Sequence, residues 1–267
     1  MLKYFSIISA IVILFYSCDE NTSELNKDIP VIEAFLYTNN SLDSIRIVKI
    51  LPYNTSGDTN IVIENIDVFI SSENEIFTFK QSATNPEYFI NSSDSLIVTE
   101  GEIYEISFVY GENDIYAKTT ALSLPTNLAI SDTLISIDDE STMPFFGDES
   151  DIEISWDNTN EEYFMVSAQL VDTSSLDQIN EYIDEPPTSI FMSPVTLSSM
   201  TLNTRMIQYY GKYRVLLFKV NIEYVELFES YNQNISSLVD SPSNIENGKG
   251  IFTAMSTDTI YFDVVRD

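Results

Sequence analysis

YEISFVYGENDIYAKTTA, residues 104–121, decides the fold class. Apolar and polar residues alternate through YEISFVY (104–110) and again through IYAKTTA (115–121), the period of two that belongs to a half-buried strand. Gly111-Glu112-Asn113 supplies the turn between them. The stretch reads as a β-hairpin. Working back toward the N-terminus, the same alternation recurs in VIEAFLY (31–37), SIRIVKIL (44–51), IDVFIS (66–71), IFTFK (76–80) and EYFI (87–90). Turn signals separate these runs: Asn39-Asn40, Ser56-Gly57-Asp58, Asn85-Pro86 and Glu100-Gly101. Seven short strands at this spacing predict an immunoglobulin-like β-sandwich over residues 29–125. The chain has one cysteine, so packing alone must hold the two sheets.

Working forward, Leu124-Pro125-Thr126 marks a boundary, and residues 126–267 read as a second, β-sandwich-like domain. IEISW (152–156) opens it, and ISWDNTNEEYFMVSAQLV reads as two adjacent strands across a polar turn, with Trp156 in the core. Further strands are expected near 195–202, 205–210 and 213–220, then IFTAM and TIYFDVV as closing strands. One segment departs from this pattern. In NIEYVELFESYNQNISSLV, Ile222, Val225, Phe228, Tyr231, Ile235 and Leu238 fall near helical period and predict a helix near 221–239. Asn221 can cap it, Glu223 and Glu226 complement its positive end, and Pro242 stops it. The fold class is therefore mainly β with one helix.

Residues 1–17 read as a signal peptide. Lys3 gives the positive end, and Ile7 to Phe15 form an apolar run too short for the roughly 20 residues that span a bilayer. Cys18, the sole thiol, follows at the cut, where a bacterial lipoprotein carries its diacylglycerol, and Ser17 is the small residue such a cut needs. Cys18 is thus expected to be the lipid-bearing residue of a membrane anchor, with 18–28 as a polar tether. Asp19 and Glu20 directly after it read as an export signal to the cell surface.

The charge excludes some partners. Forty-two acidic residues face twelve basic ones, a net −30, and no Lys or Arg occurs between Lys118 and Arg205. Nucleic acid draws its protein affinity from Lys and Arg, so it is not an expected partner. The chain has no histidine. That removes Ser-His and Cys-His nucleophile pairs and most zinc chemistry, leaving carboxylate, Ser-Lys or oxygen-ligated metal chemistry.

Near the C-terminus, PSNIENGKGIFTAMS (242–256) follows the tyrosine-bearing helix. Ser243, Asn244, Ile245, Gly248, Gly250 and Phe252 match a Ser-Asn-Ile-x-x-Gly-x-Gly-x-Phe pattern, in which the glycines serve a sharp turn into a strand. With the leader, tether and opening sandwich, this resembles the Bacteroidota lipoprotein family of the domain of unknown function 4249. The resemblance implies an outer-membrane, surface-exposed lipoprotein and a TonB-dependent outer-membrane receptor as partner. It implies no reaction and no cofactor.

On these grounds the expected function is a non-enzymatic accessory or ligand-capture subunit of a TonB-dependent transporter. The alternatives are a free-standing surface adhesin and a carboxylate-based hydrolase. The acid clusters Asp138-Asp139-Glu140 and Asp148-Glu149-Asp151 have the flavour of a calcium loop without its full spacing. Tyr209-Tyr210-Gly211-Lys212-Tyr213 reads as a strand–turn–strand whose tyrosines pack half-buried. Asp-Ser/Thr-aliphatic triplets such as Asp43-Ser44-Ile45 and Asp258-Thr259-Ile260 resemble an O-glycosylation sequon.

Overall fold

The computed structural model describes residues 28–50, 61–73, 75–91, 96–137, 151–179, 183–233 and 242–267. The leader, Cys18, Asp19, Glu20, most of the tether and the acid clusters up to Glu149 lie outside the described residues. The chain is mainly β, an immunoglobulin-like sandwich followed by a sandwich-like unit that carries one helix.

The first half holds β1 (Ile29–Tyr37), β2 (Ser41–Leu42), β3 (Ser44–Ile50), β4 (Val68–Ser72), β5 (Glu75–Gln81), β6 (Tyr88–Asn91), β7 (Leu96–Ile97), β8 (Ile103–Tyr110) and β9 (Asn113–Thr120). All seven strands read from the alternation are present. The opening hairpin pairs Ile103 with Thr120 through to Tyr110 with Asn113, and Gly111 turns it at a φ of 63°. Hydrogen-bonded neighbours run β1–β3–β6–β5–β4–β8–β9. Tyr116 of β9 then exchanges backbone hydrogen bonds with Glu246, which brings the last strand back toward the first. Inside lie Ile32, Leu36, Ile47, Ile70, Phe79, Phe89 and Ile106, all buried. These are the inward members of each alternation, and their burial drives the folding of this half.

The second half holds β10 (Ala129–Ile130), β11 (Leu134–Ile137), β12 (Asp151–Ser155), β13 (Tyr163–Leu170), β14 (Asp177–Gln178), β15 (Ser189–Phe191), β16 (Ser199–Asn203), β17 (Tyr209–Val220), helix α1 (Ile222–Gln233) and β18 (Lys249–Arg266). β10–β12–β16 form one layer and β15–β13–β17–β18 the other. Ile152, Ile154, Trp156 and Leu202 of the first meet Phe164, Val166, Val215, Leu217 and Phe262 of the second. The Trp156 ring lies 5.4 Å from that of Phe164.

Four expectations are corrected here. The strands at 151–155 and 163–170 are not paired neighbours but lie in opposite layers, because both carry core-facing apolar sets. Residues 204–206 form a 3-10 turn, and β17 runs unbroken from Tyr209 to Val220. Gly211, at a φ of 132°, lies inside that strand, paired with Val264, and is not a turn between two. Tyr209, Tyr210 and Tyr213 are accordingly buried, Tyr213 stacking on Phe262 at 5.2 Å. IFTAM and TIYFDVV are one 18-residue strand. Finally, Ile222 is exposed, and Tyr224 takes its place on the inner face of α1 with Val225. The helix positions expected at 234–239 lie outside the described residues.

β18 ties the molecule together. Residues 249–255 run parallel to β1, and residues 255–264 run antiparallel to β17. One strand therefore belongs to both cores, with Phe252 and Ala254 in the first and Phe262 and Val264 in the second.

Candidate functional site

The joint between the halves holds the most distinctive chemistry among the described residues. β17 alternates inward at Tyr213, Val215 and Leu217, and the next inward position is Lys219, only 4% exposed. A buried ammonium needs a partner and hydrogen-bond acceptors. Glu162 lies 2.7 Å from its Nζ, and the Nζ donates to Ser123 Oγ at 2.6 Å. Ser123 belongs to the segment joining the halves, and its carbonyl accepts from Ser256 Oγ of β18 at 2.7 Å. The connecting segment is thus fastened to two strands of the second half.

Around this ion pair opens a cleft of about 380 Å³, lined among others by Glu100, Pro125, Asp157, Asn160 and Phe164. Asp157 is engaged by Thr126 Oγ1 and Asn127 Nδ2, and its own N–H donates to Thr126 O. A Ser–Lys hydrogen bond is also the first element of Ser–Lys hydrolases. General-base work requires a free amine nitrogen, whereas this one is held in an ion pair with Glu162 at 2.7 Å. Here the lysine donates to the serine. The arrangement is suited to holding the joint together.

A second network begins where β17 ends. Thr119 Oγ1 of β9 donates to Glu223 Oε1 at 2.8 Å and accepts from Asn221 Nδ2 and from the Ala254 N–H. Thr253 Oγ1 also donates to Glu223. Asn221 Nδ2 further reaches Thr120 O and Ala254 O, so the carboxamide nitrogen of the expected cap staples the helix to β9 and β18. Tyr224 stands edge-on to Phe35 of β1 at 6.4 Å, and burial raises its hydroxyl above the ordinary tyrosine range.

The residues singled out in the sequence are gathered elsewhere. Ser243 Oγ accepts from the Ile245 N–H, and Ile245 is buried in the first core. Asn244 forms a reciprocal pair with Phe252, donating to its carbonyl at 2.7 Å and accepting from its N–H at 3.0 Å. Gly250 has a φ of 100°, and a Cβ there would collide with the Ile32 carbonyl. A Cβ at Gly248 would press on Ile245 and the Pro30 carbonyl. These six residues thus seat the start of β18 against β1. Asp151 accepts from Asn203 Nδ2, and no group of three or more acidic or thiol side chains suited to a metal ion occurs among the described residues.

Sequence reading missed Lys219, Glu162 and Ser123. The signal was present in RVLLFKV: the alternation that buries Val215 and Leu217 places Lys219 in the same inward row. A lysine at such a position requires an acid nearby.

The family model for the domain of unknown function (DUF4249) matches residues 16–260. No curated protein matches the chain. Among solved structures, a cytokine receptor complex is similar over 70% of this chain and 89% of its own, at 10% identity and a TM-score of 0.26. The FN1–FN3 domains of chicken CNTN1 are similar over 88% of this chain and 67% of theirs, at 12% identity and a TM-score of 0.24.

Proposed function

The chain belongs to the domain of unknown function 4249 family, and from that premise we propose that it is a lipid-anchored outer-membrane protein of the cell surface. In this reading it serves a TonB-dependent receptor as a non-enzymatic accessory or ligand-capture subunit. The observation that carries the proposal is Cys18, the sole thiol, set at the end of the apolar run 7–15 and followed by Asp19 and Glu20. Several acyl chains on one cysteine hold a protein stably to a bilayer, which a single chain does not. The folded part suits such a role. Two sandwiches share one long strand and are fastened by Lys219, Glu162 and Asn221, so they can transmit a docking event as one body. The 42 acidic residues repel nucleic acid and favour partners with basic faces.

The test is co-purification from the native outer membrane, wild type beside Cys18→Ser, with partners identified by mass. The proposal expects a TonB-dependent barrel with the wild type and a chain released from the membrane in the variant. Wild type that is membrane-bound but comes down alone would turn the reading to a free-standing adhesin. A Cys18→Ser chain that still fractionates with the membrane would remove the lipid anchor altogether.

A further inference from the structure

The outward face of β4, β8 and β9 carries a groove of about 740 Å³ that neither half covers. Its apolar floor is set by register. Phe69 of β4 pairs with Ser107 of β8, and Val109, two residues on, presents to the same side. Val109 is 60% exposed and Phe69 37%. Both belong to the outward row of strands whose inward rows fill the first core, so no core demand explains them. The groove is also charged in one sense. Glu64, Asp67 and Asp114 line it, and among the described residues no Lys or Arg does. Tyr116 donates to Glu105 at 2.7 Å beside it, and that hydrogen bond pushes the Tyr116 hydroxyl up to about 12.

The groove also lies at the end where the chain enters the fold. Asp28, one residue before β1, is ion-paired with Lys49 at 3.2 Å and lies against Tyr110, which lines the groove. The roughly ten residues from Cys18 to Asp28 reach at most about 35 Å when extended. A lipid on Cys18 would therefore keep this end close to the membrane surface.

We propose that this groove is a docking surface for a basic segment of a membrane-resident partner protein, which seats an aliphatic or aromatic side chain between Phe69 and Val109 and sets lysines or arginines against Glu64, Asp67 and Asp114. The proposal rests on the anchored, accessory reading above. Charge selects this occupant over the others. The chain's own tether carries Asp19, Glu20, Glu24 and Asp28 against one lysine, so it is repelled. A second copy brings another net −30. An anionic lipid surface offers no cations of its own. The apolar floor gives the contact affinity, and the acidic rim sets its orientation and rate of encounter.

The test uses the full chain in its native outer membrane with a photo-reactive benzophenone side chain at Val109, and the adduct peptide is sequenced by mass. A control carries the same group at Leu197, which is exposed on the second half. The expected result is an adduct from Val109, and not from Leu197, to a Lys/Arg-rich extramembrane segment of another protein. Charge reversal by Asp67→Lys with Asp114→Lys, both exposed, should cut its yield about tenfold or more while the melting curve stays put. An adduct to lipid or to a second copy, equal labelling from Leu197, or a yield untouched by the charge reversal would each overturn the proposal. Membrane fractionation of the same samples reports the anchor separately. A released chain that still labels a basic segment would sink the lipid anchor and spare the groove.

Discussion

At the scale of single residues, two positions show how differently the sequence announces itself. Gly250 was legible, because a glycine pair between a helix and a strand implies a backbone that side chains obstruct. What the sequence did not tell was the obstructing group, the Ile32 carbonyl, which lies more than two hundred residues away along the chain. Gly250→Ala must both hold a φ of 100° and push β1 aside, so a loss of about 3 kcal/mol or more is expected. Gly111→Ala also has a positive φ, but with open space around it, and should cost only about 1–2 kcal/mol. Equal losses in urea titrations would refute the steric account. Lys219 was hidden because charge in a strand is read by default as facing solvent, and only the register argues otherwise. Its pairing with Glu162 is lopsided: the lysine side chain is 6% exposed, the glutamate 38%. Glu162→Ala strands a buried ammonium with Ser123 alone and should cost about 3 kcal/mol. Lys219→Met leaves a carboxylate that water can still reach, so it should cost clearly less. Should Lys219→Met prove the worse of the two, the charge-burial argument fails.

At the scale of elements, regular alternation marks the short strands, while polar or glycine-bearing intervals inside the two long ones, β17 and β18, imitate turns. Within β18, Ser256-Thr257-Asp258 separates the apolar runs IFTAM and TIYFDVV and imitates a turn. Those residues pair with β17 without a break, Ser256 with Lys219 through to Thr259 with Leu216. The polar interval marks the place where the strand leaves one core and enters the next, and Ser256 there meets Ser123. Local pattern cannot separate such a passage from a turn. The helix was read from its period, but its anchoring was not, because Asn221 points its amide nitrogen at Thr119, Thr120 and Ala254. Asn221→Ala removes the hydrogen bonds to Thr119 Oγ1, Thr120 O and Ala254 O, at about 1 kcal/mol each. A loss of about 2–3 kcal/mol is expected, against less than about 0.5 kcal/mol for Glu229→Ala on the exposed face of α1. If the two variants unfold at the same denaturant concentration, the helix is not stapled through Asn221.

At the scale of the whole molecule, the sequence suggested two units meeting at Pro125, since composition and turn signals change there. The final strand pairs across that boundary, and no alternation records which neighbour a strand will choose. β1 takes β18 on one edge and β17 takes it on the other, with Met255 paired to Tyr37 and Val220 alike. Unfolding the first half strips β18 of its β1 partner, frees Phe252 and Ala254, and loosens Asn221 and Lys219 as well. The two halves should therefore melt as one. Trp156, the sole tryptophan, is buried beside Phe164 in the second core and reports on that half alone. Phe89 is fully buried on β6, within the first core. Phe89→Ala should destabilise by about 3–5 kcal/mol, and the Trp156 emission midpoint should fall together with the far-UV circular dichroism midpoint. A Trp156 curve left at the wild-type midpoint would mean that the halves unfold independently. In that case β18 is a hinge between two domains, and docking at the groove of the first would not be felt by the second.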